Sequence, residues 1–128
     1  ICKSMLLDTH TLLWFLNDDP RLPVAIKDQI EMSEVVCISI ASLWEIVIKV
    51  QIGKLEIQYP FPELQAIFPQ LGIEILPLTM SDLEEYLRLP LHHRDPFDRM
   101  LVAQAITHHL TLVSLDQQLD VYPIQRLW

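Results

Sequence analysis

Residues 35–53 read VVCISIASLWEIVIKVQIG, and the fold turns on this stretch. Val35, Val36, Ile38 and Ile40 crowd β-branched side chains into six residues, as in a strand buried on both faces. Ser42 reads as the N-cap of a helix over 43–52, and Gly53 fits its C′ position. A buried strand running straight into a helix is one unit of a parallel sheet with helical crossovers.

The same alternation extends both ways. Upstream, the apolar run 5–7 ends in Asp8 and predicts a strand. Leu12, Leu13, Phe15 and Leu16 follow at helical spacing, and Asn17-Asp18-Asp19-Pro20 ends that helix. Pro23 opens a helix to about residue 32. Downstream, Pro60, Pro62 and Pro69 allow only a short helix over 60–70, and 73–76 predicts a third strand. A helix from Ser81 to about 88 stops before Pro90, and 91–94 is a loop. Asp95-Pro96 supplies an N-cap and an N1 proline for a helix to about 109. A fourth strand over 111–115 ends in Asp116, and a last short strand falls within 122–127. The pattern predicts an α/β domain over 5–128, its parallel sheet covered on both faces. Residues 1–4 precede the pattern and read as leader sequence before a start at Met5.

Composition removes whole classes. The 128 residues carry 9 Lys+Arg against 17 Asp+Glu, a formal net charge of −8, yet 51% are hydrophobic. Mean hydropathy is +0.27, too high for an acidic disordered chain. A simple nucleic-acid binder would carry a basic surplus. The greasiest stretch is broken by Ser39, Ser42, Glu45 and Lys49, so no membrane span is expected. Two glycines exclude a Gly-rich phosphate loop. Two cysteines are too few for a disulfide framework; Cys37 reads as a core residue, and without a secretory signal the expected setting is cytoplasmic.

The chemistry concentrates in acids at element ends. Asp8 and Asp116 each close a predicted strand, Glu45 lies one turn into a helix, and Asp98 lies in the first turn of another. In open α/β sheets such positions converge beyond the strands' carboxyl ends. Clustered carboxylates repel, a pair 4 Å apart costing about 4 kcal/mol at an effective dielectric near 20. A cation or bound protons must offset this, and all-oxygen donors select Mg²⁺ or Mn²⁺. Each acid also has a structural reading. Asp8 would cap its helix, Ser42-Leu43-Trp44-Glu45 matches a capping box, Asp98 suits a helix N-terminus, and Asp116 begins a turn. Spacing alone does not choose between these readings.

The wider pattern bears on the choice. Leu7-Asp8-Thr9-His10 with Leu13-Trp14, Ser39-Ile40-Ala41-Ser42-Leu43-Trp44-Glu45-Ile46 with Lys49 and Gly53-Lys54-Leu55, Leu91-His92-His93-Arg94-Asp95-Pro96-Phe97-Asp98-Arg99 with Ala103-Gln104-Ala105, and Thr111-Leu112-Val113-Ser114-Leu115-Asp116 together resemble the PIN-domain ribonuclease toxins of type II toxin–antitoxin systems, the VapC-like family. The resemblance covers the chain from Met5 to Trp128. It implies a three-layer α/β/α fold around a parallel sheet and endoribonuclease activity dependent on one or two Mg²⁺ or Mn²⁺ ions. It also implies an RNA substrate, neutralisation by an antitoxin protein, and a homodimer. The acids it assigns to catalysis and metal are Asp8, Glu45, Asp98 and Asp116, with Asp95 an additional acid that also reads as an N-cap. The family's fourth strand often ends in Thr-x-Asp; here it is Ser114-Leu115-Asp116, with the hydroxyl retained.

Supporting candidates are Thr9 and Ser114, which orient a carboxylate or cap a turn, and Arg99, which pairs with the acids, holds a phosphate or stays solvated. His10 is either a substrate contact or a helix-surface residue. The pairs His92-His93 and His108-His109 lack the i, i+4 spacing of a helical zinc site. Trp14, Trp44 and Trp128 read as core or interface residues. Lys49, Lys54, Arg94 and Arg99 are the local cations expected to help an acidic chain hold RNA. An antitoxin segment would lie in an apolar groove walled by helices 12–16 and 43–52. The rival reading is a catalytically inactive PIN-fold interaction module. A phosphatase of the aspartyl type is disfavoured because position 10 is His rather than a second Asp.

Overall fold

The computed structural model describes residues 4–128. Five strands, β1 (Ser4–Leu7), β2 (Val35–Ser39), β3 (Ile73–Leu76), β4 (Thr111–Val113) and β5 (Gln125–Leu127), form one sheet ordered β3-β2-β1-β4-β5, with every pairing parallel. The helices are α1 (Thr9–Leu16), α2 (Val24–Met32), α3 (Ile40–Gln51), α4 (Leu64–Gln70), α5 (Met80–Arg88) and α6 (Pro96–His108), with 3-10 turns at Phe61–Glu63 and Gln117–Val121.

Strand alternation divides the core in two. Met5, Leu7, Val36, Ile38 and Val113 face one side and pack with Leu12, Ile26, Ile46 and Phe68 from α1 to α4. Leu6, Cys37 and Leu112 face the other and pack with Met100 to Ala105 of α6 and with Leu119 and Tyr122. The sheet thus lies between two helical layers, the three-layer arrangement the sequence led us to expect. Cys37 is a buried core residue there; Cys2 lies outside the described residues. Of the expected leader, residues 1–3 also lie outside them, and Ser4 opens β1 opposite Val35. Among the described residues, no helix is long and apolar enough to cross a membrane.

Four boundaries differ from expectation, for local reasons. First, α3 begins at Ile40, because Ser39 ends β2 in extended geometry and its Oγ accepts the Ala41 N–H at 3.0 Å. Ser42 is therefore inside the helix, buried, with its hydroxyl unpartnered, and the capping box to Glu45 does not form. Second, α1 begins at Thr9 rather than Leu12, because Asp8 caps it directly by accepting the Thr11 N–H at 2.8 Å. Third, α5 begins at Met80, one residue before Ser81, because Thr79 caps it in a reciprocal capping box with Asp82. Fourth, β4 stops at Val113, so Ser114 and Asp116 stand in the turn beyond it. Gly53 follows α3 with φ +76°, the left-handed conformation expected of a C′ glycine.

Candidate active site

The strand order reverses between β1 and β4. The chain winds outward through β2 and β3 on one side, then returns to add β4 and β5 on the other. Ligand crevices in parallel sheets open beyond the strand ends at this switch point. Here Asp8 leaves β1, Asp116 lies just past β4, and Glu45 comes from the helix after β2. Asp95 and Asp98 come from the start of α6. All five carboxylates line one cleft of about 410 Å³, together with Thr9, Lys49 and Leu115.

Capping and clustering use different oxygens. Asp8 Oδ1 accepts the Thr11 N–H, Asp95 Oδ1 accepts the Phe97 N–H at 2.8 Å, and Asp116 Oδ1 accepts the Gln118 N–H at 3.0 Å. A carboxylate has two oxygens, so on each a second one is left uncommitted to the backbone. The cap and the ligand are not rival readings for these residues. Glu45 is held from both sides: Thr9 Oγ1 donates to Oε1 at 2.6 Å, and Lys49 Nζ lies 3.1 Å from Oε2.

Asp98 is the electrostatic centre of the cleft. Its carboxyl is pushed up to about 7, first by burial, then by the negative charges of Asp95, Asp8 and Glu45, against the opposing pull of His93. The repulsion argued for the sequence is thus felt at one identifiable group, and the cleft favours whatever positive charge enters it.

The sequence matches the PIN domain family over residues 5–124. The chain belongs to the PIN domain family. No curated protein matches the sequence. Among solved structures, this PIN domain is similar to the Rickettsia felis VapBC2 complex bound to a DNA fragment from its promoter, with TM-score 0.73 and 17% identity over 97% of each chain. It is similar also to DNA-bound VapBC from Salmonella typhimurium, with TM-score 0.70 and 18% identity over 98% of this chain and 97% of that one. A toxin–antitoxin complex from Klebsiella pneumoniae aligns with TM-score 0.63 and 18% identity over 98% and 97%. At such identities the likeness shows the fold.

The supporting candidates of this PIN domain divide. Thr9 touches Glu45 directly. Ser114 is buried, and its hydroxyl accepts the Asp116 N–H at 3.1 Å, so it shapes the turn that carries Asp116. Arg99 neither meets the acids nor stays solvated. It is buried, donates from Nη2 to the Leu89 carbonyl at 3.3 Å, and stacks 4.4 Å from the Tyr86 ring centroid. Adjacent helix positions differ by about 100°, so a residue next to Asp98 faces another side.

His93 was missed, because the His92-His93 pair was weighed in the sequence only for zinc spacing. Its Nε2 lies 3.6 Å from Asp98 Oδ2 and 3.4 Å from Asp116 Oδ2, and these three residues are close enough to share a metal ion. Its Nδ1, however, accepts the Asp95 N–H at 3.2 Å. The neutral ring then carries its proton on Nε2 and faces the carboxylates as a donor. The available signal was position: His93 immediately precedes the Arg94-Asp95-Pro96 cap that aims Asp98. The tryptophans also separate. Trp44 is 60% exposed on α3 against Phe97, whereas Trp14 and Trp128 line the acidic cleft while packing on the core.

Proposed function

We propose that this PIN domain is a divalent-metal-dependent endoribonuclease, acts in the cytoplasm as the toxin of a toxin–antitoxin pair, and is neutralised by a cognate antitoxin. The observation that carries the nuclease reading is the gathering of Asp8, Glu45, Asp95, Asp98 and Asp116 in one cleft at the sheet's switch point. The solved complexes of similar fold, which include VapBC pairs and a toxin–antitoxin complex, support the toxin role.

The donor set fits Mg²⁺ or Mn²⁺: five carboxylates supply oxygens with the His93 ring beside two of them, and burial and negative neighbours push the Asp98 carboxyl up to about 7. Asp8, Glu45, Asp98 and Asp116 would hold one or two such ions, with Asp95 beside them. When bound, such an ion polarises the phosphodiester and acidifies water at neutral pH. The chain's own part is placement. The backbone caps fix Asp8, Asp95 and Asp116, and Thr9 fixes Glu45. Lys49 and the His93 N–H set positive character at the rim, where a polyanion must approach.

An antitoxin fits this reading through charge, since a basic side chain satisfies the same carboxylates. The apolar gap between α1 and α3, expected to seat its segment, is narrow: Leu13, Leu16, Ile46, Ile57 and Tyr59 close around a space of about 10 Å³. The exposed row Ile40, Trp44 and Val47 on α3 supports a homodimer and is also what an inactive interaction module would display. Incubation with RNA decides between enzyme and module. Cleavage in Mn²⁺, abolished by EDTA and leaving 5′-phosphate ends, is expected; 2′,3′-cyclic phosphate ends, or cutting unaffected by EDTA, would overturn the metal-dependent scheme. RNA left intact in Mn²⁺ would favour the module.

A further inference from the structure

The acidic cleft has a second wall of different chemistry. Two kinds of side chain line the same 410 Å³: the carboxylates, and the rings of His10, Trp14 and Trp128. The fold delivers this wall as deliberately as the acids. His10 and Trp14 are four residues apart on α1 and share a face, their ring centroids 6.0 Å apart. Strand β5 pairs with β4, Ser114 donates its N–H to the Leu127 carbonyl at 3.2 Å, and Trp128 is thereby set beside the turn that carries Asp116. Its ring meets Trp14 edge-on at 5.7 Å. Arg21, forked onto Asp19, stacks 4.9 Å from the Trp14 centroid and steadies that ring. Both tryptophans are only half-buried, so packing does not consume their surface.

Resting on the nuclease reading above, we infer that the Trp14–Trp128 wall is a nucleobase subsite, stacking an unpaired base of single-stranded RNA beside the phosphodiester that the acidic site would cleave. In a nucleic acid the base stands one sugar from its phosphate, so a wall bordering the phosphate site faces a base. Aromatic stacking accepts any base and is strong enough to hold a single strand without reading its sequence. It also lets a chain of net charge −8 bind RNA by something other than charge.

The test uses Trp44→Phe protein, in which emission comes from Trp14 and Trp128 alone. Single-stranded RNA oligonucleotides carry one abasic residue at successive positions around the cut. RNA is expected to quench the emission. One abasic position should lower kcat/KM about ten-fold, mainly through KM. Trp128→Leu should cause the same loss on intact RNA and no further loss at that position, while Trp128→Phe restores cleavage. His10→Ala, an exposed change that leaves the core alone, should weaken binding a few-fold. Additive losses, or equal cleavage at every abasic position, would overturn the subsite. If no RNA is cut, the nuclease reading fails and quenching alone decides. Quenching by intact RNA that one abasic position relieves upholds the wall. No quenching, or quenching by a basic peptide but not by RNA, overturns it.

Discussion

Two aspartates in this molecule show how differently a fold can treat the same side chain. Asp82, at the α5–α6 contact, is wholly buried, yet both oxygens are served. Oδ2 accepts the Thr79 N–H at 3.0 Å and Gln104 Nε2 at 3.2 Å, and Oδ1 meets His108 Nε2 at 2.9 Å. Asp98 is shallower, its side chain 29% exposed, but among the described residues its carboxylate has no donor nearer than His93 at 3.6 Å. Its surroundings are otherwise negative, and its carboxyl rises to about 7. Depth does not separate the satisfied acid from the unsatisfied one; the count of donors does. A buried carboxyl with a full set of partners ties α5 to α6. A half-buried one facing other carboxylates has its charged form disfavoured, and its carboxyl rises.

The contrast can be broken by substitution. Asp82→Ala removes the α5 capping box and the partner of His108 and leaves the Gln104 amide only the Pro77 carbonyl; it should cost about 2–4 kcal/mol of folding stability, read by chemical denaturation, with the response to Mn²⁺ unchanged. Asp98→Asn should do the reverse, lowering RNA cleavage by about 100-fold or more while the fold persists. If Asp98→Asn unfolds the protein or Asp82→Ala selectively kills cleavage, the two roles have been exchanged.

The pH dependence sharpens the same point. Asp98 loses its proton near 3.8 in the unfolded chain but only near 7 in the folded one. The folded state therefore binds more protons across that window, and this contribution to stability is lost as pH rises through about 7. Metal-free protein should weaken by about 1–3 kcal/mol between pH 4 and pH 8 from this group, and the Asn variant should lack that component in thermal melts. Mn²⁺ at a hundredfold excess over its Kd should return about 2–3 kcal/mol at pH 8 to the parent protein and much less to Asp98→Asn. The smallest effect concerns the start of α3. Ser39→Ala should cost about 1 kcal/mol by removing a cap, whereas Ser42→Ala should stay within about 0.5 kcal/mol, since its hydroxyl has no partner to lose.

The element order and both core faces were legible because buried parallel strands leave short apolar runs that few other structures produce. What escaped was set by tertiary placement. Ser39 and Ser42 are chemically identical caps, and only the end of β2 selects the first. The acids were legible as positions, but their cap and cluster readings competed until the geometry showed one oxygen for each. His93 acts through a loop whose path no periodicity records. Arg99 looked like a surface cation, and only the packing of α5 on α6 buries it over Tyr86. Trp14 and Trp128 carry the same sequence signature whether they fill a core or wall a cleft, and here they do both.

The divided carboxylates at 8, 95 and 116 have an evolutionary consequence. Asn caps a helix as well as Asp does, so Asp→Asn at any of these positions keeps the hydrogen bond to the backbone and deletes only the charge. The two residues' codons differ by a single base. A cleft with lowered charge, still framed by properly capped helices, is therefore one point mutation away at three separate sites, and a lineage can silence this chemistry without first having to survive the loss of its fold.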